Sequence, residues 1–208
     1  MIVGLHCDVD AYGDEVREIL LRVQGRACSA AREFASAVLD SFRESEDKGE
    51  LLRRFTPDEF ENLKRGVGDY IARLIAPELT RAGHQEIAEA TGRTTAMIGV
   101  DVLWLLEAFG LFEQHMVRAT LGLISESGDE SLLRGCLGRR VHLEIEGQVK
   151  GYRQIRSMIS SARDELASQV LVANNIADLY RRTLGILTGL PGGIDAFSPG
   201  FRGRTCSR

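Results

Sequence analysis

The chain has 208 residues, 44% of them hydrophobic and 27% charged, with 26 Lys and Arg against 30 Asp and Glu for a net charge of −4. This composition fits one globular domain, or one with a short appendage, and excludes wholesale disorder, collagen-like repeats and a dominating basic surface for nucleic acid. Cys7, Cys28, Cys136 and Cys206 form no Cys-x-x-Cys pair, so neither structural zinc nor a disulfide framework is expected, and a reducing cytoplasm is the predicted location.

Residues 1–13 are short, acidic and Gly-containing, and are expected to form a flexible N-terminus. They lack the basic and apolar regions of a secretory signal, and no apolar run approaches the roughly 18 residues of a membrane helix. No proline falls between Pro77 and Pro191, which favours long helices. From Asp14, the residues Val16, Ile19, Leu20 and Val23 recur at helical spacing, and Gly25 is expected to end that helix. A second helix is predicted over 27–42, with Phe34, Val38 and Leu39 inward, then a solvated loop at 44–49. Thr56-Pro57-Asp58-Glu59 reads as a capping box opening a third helix toward Pro77. Thr80 opens a fourth helix reaching Met97, broken by Gly99. Asp101 caps a fifth, whose apolar stripe includes Val102, Leu105, Phe109, Phe112 and Met116.

The segment from Asp129 to about Leu171 holds no proline. Its apolar positions step from Leu133 to Val170 at about 3.7 residues each, which is helical. Between Ile145 and Leu166 the step tightens to about 3.5, a heptad rhythm suited to packing against a partner helix. Val149, Tyr152, Ile155, Ile159 and Leu166 lie on that seam and are the expected dimer and transmission face. A helix of roughly 40 residues would be about 60 Å long; the alternative is a break near Gly147 or Gly151. A last short helix is predicted over 176–187. The expected class is all-α, with no strand required.

No phosphate loop, Gly-x-Ser-x-Gly elbow or His-Glu-x-x-His motif occurs, so no catalytic activity and no catalytic or metal-binding residue is predicted. His6, His84, His115 and His142 lie far apart in sequence. His6 with Asp8 and Asp10 could ligate a metal, but solvation is the expected state of these residues. Glu144 and Glu146 fall on different helix faces and form no acid/base pair.

The run Arg54-Phe55-Thr56-Pro57-Asp58-Glu59-Phe60, then Leu79-Thr80 with His84, then Gly92-Arg93-Thr94-Thr95-Ala96-Met97-Ile98-Gly99-Val100, then Trp104-Leu105 and Glu107-Ala108-Phe109 resembles the sensor domain of globin-coupled sensors. It is most similar to the protoglobin-like domains that precede diguanylate cyclase modules. Leu187-Thr188-Gly189-Leu190-Pro191 is similar to the segment that opens those cyclase modules, although the cyclase Gly-Gly-(Asp/Glu)-Glu-Phe signature is absent. The resemblance implies a globin-like sensor domain at 14–171, a helical connector at 172–191 and a flexible tail at 192–208. It also implies an oxygen- or gas-sensing heme pocket lined, by position, by Phe34, Val38, Ile71, Ile87, Thr95, Ile98, Trp104 and Leu105.

One departure from the family pattern decides the expected cofactor. The family's proximal heme ligand is a His, and Thr95 occupies its place; a hydroxyl of threonine is a poor ligand for heme iron. Phe34 is followed by Ala35 where the family's distal Tyr is expected. A heme-free cytoplasmic signalling domain is therefore predicted, a homodimer free of nucleic acid and membrane, its pocket open to a small apolar ligand or filled by side chains. Two alternatives stay open. One is a heme-binding gas sensor with His115 or His84 as atypical ligand; the other is a ligand-free dimerisation scaffold.

Overall fold

The computed structural model describes residues 9–121, 123–124, 127–172 and 176–189. Within them the protein is all-α, with seven helices and no strand: α1 Asp14–Glu44, α2 Gly49–Leu52, α3 Pro57–Leu74, α4 Arg81–Ile98, α5 Val102–Leu121, α6 Ser127–Val172 and α7 Ile176–Thr188. No helix among the described residues is long and apolar enough to cross a membrane. The chain divides into two compact units, Met1–Tyr152 and Arg153–Arg208. The division therefore falls inside α6 rather than at the expected 171/172 boundary. The reason is burial: after Tyr152 only Ile155 among the described side chains is buried. The expected flexible tail at 192–208 lies outside the described residues.

Local signals set the helix ends. The Thr56 hydroxyl accepts from the Glu59 N–H at 3.3 Å while the Glu59 carboxylate accepts from the Thr56 N–H at 2.8 Å, which completes the capping box. The Thr80 hydroxyl takes the Gly83 N–H at 3.1 Å. Gly99 closes α4 at φ +82°, in the left-handed region that only glycine adopts without strain. The Asp101 carboxylate accepts from the Leu103 N–H at 2.8 Å at the start of α5.

Three expectations are corrected. Gly25 does not end a helix: α1 runs through it. A glycine inside a helix costs about 1 kcal/mol, less than the burial won by keeping Val16, Leu20, Val23, Ala27, Ala31 and Phe34 on one continuous stripe. The solvated loop at 44–49 is shorter than expected, because Gly49 already begins α2. Residues 9–13 are built into the first unit, with Ala11 only 2% exposed.

The main core gathers around α1. It packs on α2, α3 and α5, and Phe34, Ile71, Leu74, Phe112, Met116, Leu133 and Leu137 are buried together. A smaller cluster of Phe42, Leu52 and Phe60 is covered by Trp104, Phe55 and Leu63.

Helices α4 and α6 meet backbone to backbone. A Cβ on Gly92 would lie 2.0 Å from the Gln148 carbonyl oxygen, and one on Gly151 would lie 2.1 Å from that of Glu89. A Cβ on Gly147 would stand 2.6 Å from Cβ of Ala88. Gly147 and Gly151 are thus the contact points of α6, and the helix continues unbroken through both.

Opposite outcomes are expected for two Gly→Ala changes. Gly92→Ala should destabilise the protein by about 3 kcal/mol, because the rigid neighbour is backbone. Gly25→Ala, with nothing within 4 Å, should stabilise it by roughly 0.5–1 kcal/mol. Urea unfolding of both variants measures this pair.

Candidate functional site

The polar centre of the first unit lies just above the α4–α6 crossing. Every fourth residue of α6 from Arg140, through Glu144 to Gln148, turns inward, and all three are buried at 2%, 0% and 2% exposure. A fully buried carboxylate is costly unless hydrogen bonds and charge compensate it. Glu144 receives three donors. Tyr70 of α3 donates its hydroxyl to Oε1, Gln148 Nε2 donates to the same oxygen at 2.6 Å, and His84 Nε2 lies 2.8 Å from Oε2. Tyr70 in turn accepts from Gln148 Nε2 at 3.0 Å. The Tyr12 hydroxyl completes the chain, 2.5 Å from His84 Nδ1. With the Glu144 carboxylate accepting, His84 donates from Nε2 and accepts the Tyr12 hydroxyl hydrogen bond at Nδ1.

Arg140 supplies the nearest buried positive charge. Its guanidinium donates to the carbonyls of Leu74 and Ala76 at 2.9 Å each and to that of Ala11 at 3.0 Å. It thereby satisfies carbonyls at the C-terminal end of α3 and leaves a buried cation and a buried anion one helical turn apart. Its guanidinium also stands 5.0 Å from the Tyr12 ring centroid.

The surroundings hold the neighbouring weak acids in their protonated forms. Burial pushes the Tyr12 phenol up to about 12, with the Arg140 charge opposing the rise. Burial, reinforced by the Glu144 charge, raises the Tyr70 phenol well above its ordinary value. Burial also pushes the Cys136 thiol up to about 11, so Cys136 is an unreactive thiol at neutral pH. Two buried side-chain atoms among the described residues have no hydrogen-bond partner, His115 Nε2 and Gln148 Oε1.

The residues assigned from the family pattern fall apart into several environments. Phe34 and Ile71 are in the main core, with Val38 and Leu105 packed on it. Trp104 belongs to the smaller cluster, 6.3 Å from Phe42 in an edge-to-face pair. Ile87 is half-buried. Ile98 is 55% exposed and lines no interior, because it ends α4 beside the turn at Gly99. Thr95 is buried, and its hydroxyl donates to the Thr91 carbonyl at 2.5 Å within its own helix. On the expected transmission seam, Ile155 is buried, Val149, Tyr152 and Leu166 are half-buried, and Ile159 is 44% exposed.

The histidines separate clearly. His84 has both ring nitrogens engaged and none to offer a metal. His142 is exposed, and His6 lies outside the described residues. His115, 5.5 Å from the Phe34 ring, keeps a buried nitrogen without a partner. At the heme-ligand place the resemblance designates, the residues present therefore do not fit an iron: the Thr95 oxygen is a poor ligand and is already bonded. Among the described residues no group of three or more His, Cys, Asp or Glu could hold a metal ion.

Tyr12, Tyr70, Arg140, Glu144 and Gln148 were not predicted as a site. The available signal was the i, i+4, i+8 spacing of three polar residues on α6, alongside Gly147 and Gly151. Comparison with protein-family models, with curated proteins and with solved structures finds no match.

Removing one member of the buried pair should be expensive and its neighbour cheap. Glu144→Ala is expected to cost about 3–5 kcal/mol, whereas Glu146→Ala, on the exposed face, should fall within about 0.5 kcal/mol of the parent in urea unfolding. A pH dependence follows from the raised thiol and phenol. Each binds its proton more tightly folded than unfolded, so its contribution is complete below the unfolded value and is lost as pH rises through the folded one. Stability should therefore fall between pH 9 and about 12, first through Cys136 and then through Tyr12. Urea midpoints across that range test this, and Cys136→Ala should delay the onset to above pH 10.

Proposed function

We propose that this chain is a globin-like regulatory domain of a bacterial signal-transduction protein, that it works without heme, and that it signals as a homodimer through the second half of α6. The observation that carries the reading is the contrast along this one helix. Its first half is fixed by Arg140, Glu144 and Gln148 in the interior of the first unit. From Arg156 to Gly189, no described residue is buried. That stretch nevertheless presents Ile159, Val170 and Leu171 on α6 and Ile176, Tyr180 and Leu184 on α7, from 39% to 86% exposed. A stretch with no buried residue among those described builds no core of its own from them, and most helical stability comes from packing an apolar face. A second copy of the same face, related by a two-fold axis, supplies it.

A change in the first unit reaches this face by moving α6, since packed helices shift between discrete arrangements. The sequence pattern from Arg54 to Phe109 supports the globin-like assignment. The bonded Thr95 hydroxyl and the fully engaged His84 support a heme-free state, as does Phe34 packed edge-to-face on Phe112 at 5.6 Å. A small apolar ligand among these core side chains is the input this reading admits. The unpartnered His115 Nε2 is the observation that favours the second reading, a heme sensor with His115 as its ligand.

Light scattering on the full chain is expected to give a dimer, and Ile159→Glu should weaken it at least tenfold, about 1.4 kcal/mol, without unfolding the first unit. A wild-type monomer would remove the transmission idea. Protein supplied with heme is expected to show no Soret band. A band that disappears in His115→Ala would establish the second reading instead.

A further inference from the structure

The segment that precedes α1 lies against the first unit as a strap folded into a local turn, and its anchors reach α6 and α4. Val9 lies against Gly135, where an added Cβ would stand 2.8 Å from Val9 Cγ2. The Ala11 carbonyl accepts from Arg140 Nε at 3.0 Å and from Cys136 Sγ at 3.7 Å. The Tyr12 hydroxyl reaches His84 Nδ1. We propose that Val9–Gly13 is a releasable strap that clamps α6 against α3 and α4, and that its release is an input which loosens the grip on α6. The inference rests on α6 being the transmitting helix.

Three observations make the strap releasable rather than a fixed part of the core. Ala11 alone is buried, its side chain a single methyl, while Asp10 is exposed and Val9, Tyr12 and Gly13 are half-buried. Its own backbone N–H groups are bonded locally, Tyr12 N–H to the Asp10 carboxylate at 3.1 Å and Gly13 N–H to the Asp10 carbonyl at 3.1 Å. Among the described residues, its hydrogen bonds to α4 and α6 run through two atoms only, the Ala11 carbonyl oxygen and the Tyr12 hydroxyl. Segments with few buried apolar contacts open well below the free energy of global unfolding.

Release is not silent. It deprives His84 Nδ1 and Arg140 Nε of their partners, and a buried polar group left unpaired costs more than a hydrogen bond gains. His84 also holds Glu144, and Arg140 also holds the end of α3. Opening the strap therefore loosens both contacts of α6 at once, at residues 140 and 144.

Hydrogen exchange read by mass spectrometry on the full-length chain tests this. In the parent protein the amides of Tyr12 and Gly13 should be protected. Tyr12→Phe should speed them about tenfold, and should also speed the amides of α6 from Cys136 to Gln148 several-fold, while the first turns of α3, held by the Thr56–Glu59 capping box, stay unchanged as an internal control. Asp10→Ala, an exposed substitution that breaks only the local turn, should give the same pattern and stands in if Tyr12→Phe fails to fold. In the same samples the dimer dissociation constant should move at least threefold. Strap amides already at the free-peptide rate in the parent overturn the inference. So does a strap that speeds up while α6 does not, or an unchanged dissociation constant with α6 loosened. A parent chain that is monomeric sinks the transmission reading alone, and the exchange data then still decide whether the strap grips α6.

Discussion

A carboxylate with no solvent exposure organises the first unit. Glu144 is tolerable inside only because Tyr70, Gln148 and His84 each bring a donor to it, and each comes from a position that constrains the backbone. Tyr70 fixes α3 against α6. His84 fixes α4, but it reaches Oε2 only because the two helices approach at glycines. With any side chain at Gly92, Gly147 or Gly151 the axes would separate, and an imidazole has no length to spare. The small residues and the buried charge are therefore one device: close approach makes the hydrogen bond possible, and the hydrogen bond gives the crossing a unique register. An apolar pair in place of His84 and Glu144 would not distinguish one helix register from the next.

This device lies on α6, whereas the family resemblance directs attention to α4 and Thr95. The two locations make different demands on the same fold. A heme site needs a free donor pointing at an apolar cavity. Thr95 instead returns its proton to the carbonyl of Thr91, and the aromatic side chains around Phe34 pack on one another. The interior instead holds a hydrogen-bonded chain from Tyr12 through His84 to Glu144. It ties α4 and α6 to the segment that precedes α1.

The helix boundaries were legible because they are local. Thr56, Pro57 and Glu59 lie within one turn, and Gly99 acts through its own φ. Gly25 misled because its meaning depends on what α1 packs against: a lone glycine is a stop signal beside a weak stripe and a tolerated defect inside a strong one. The strap could not be read at all, since an acidic, glycine-containing end looks solvated until Arg140 and His84 are known to face it. Glu144 and His84 stand 60 positions apart, and no periodicity links them. What the sequence did carry was the spacing of Arg140, Glu144 and Gln148. Polar residues four apart beside an apolar stripe are normally a wet flank; here the glycines of α6 show that the flank faces another backbone.

The same helix then runs from an over-determined environment into an under-determined one. Up to Gln148 each turn of α6 is specified by at least one polar contact, so its rotation about its axis is fixed. From Arg156 onward no described side chain is buried: Ile159, Val170 and Leu171 are exposed on α6, and Ile176, Tyr180 and Leu184 on α7. In the dimeric reading proposed above, a second copy of this face supplies the burial that the chain alone does not.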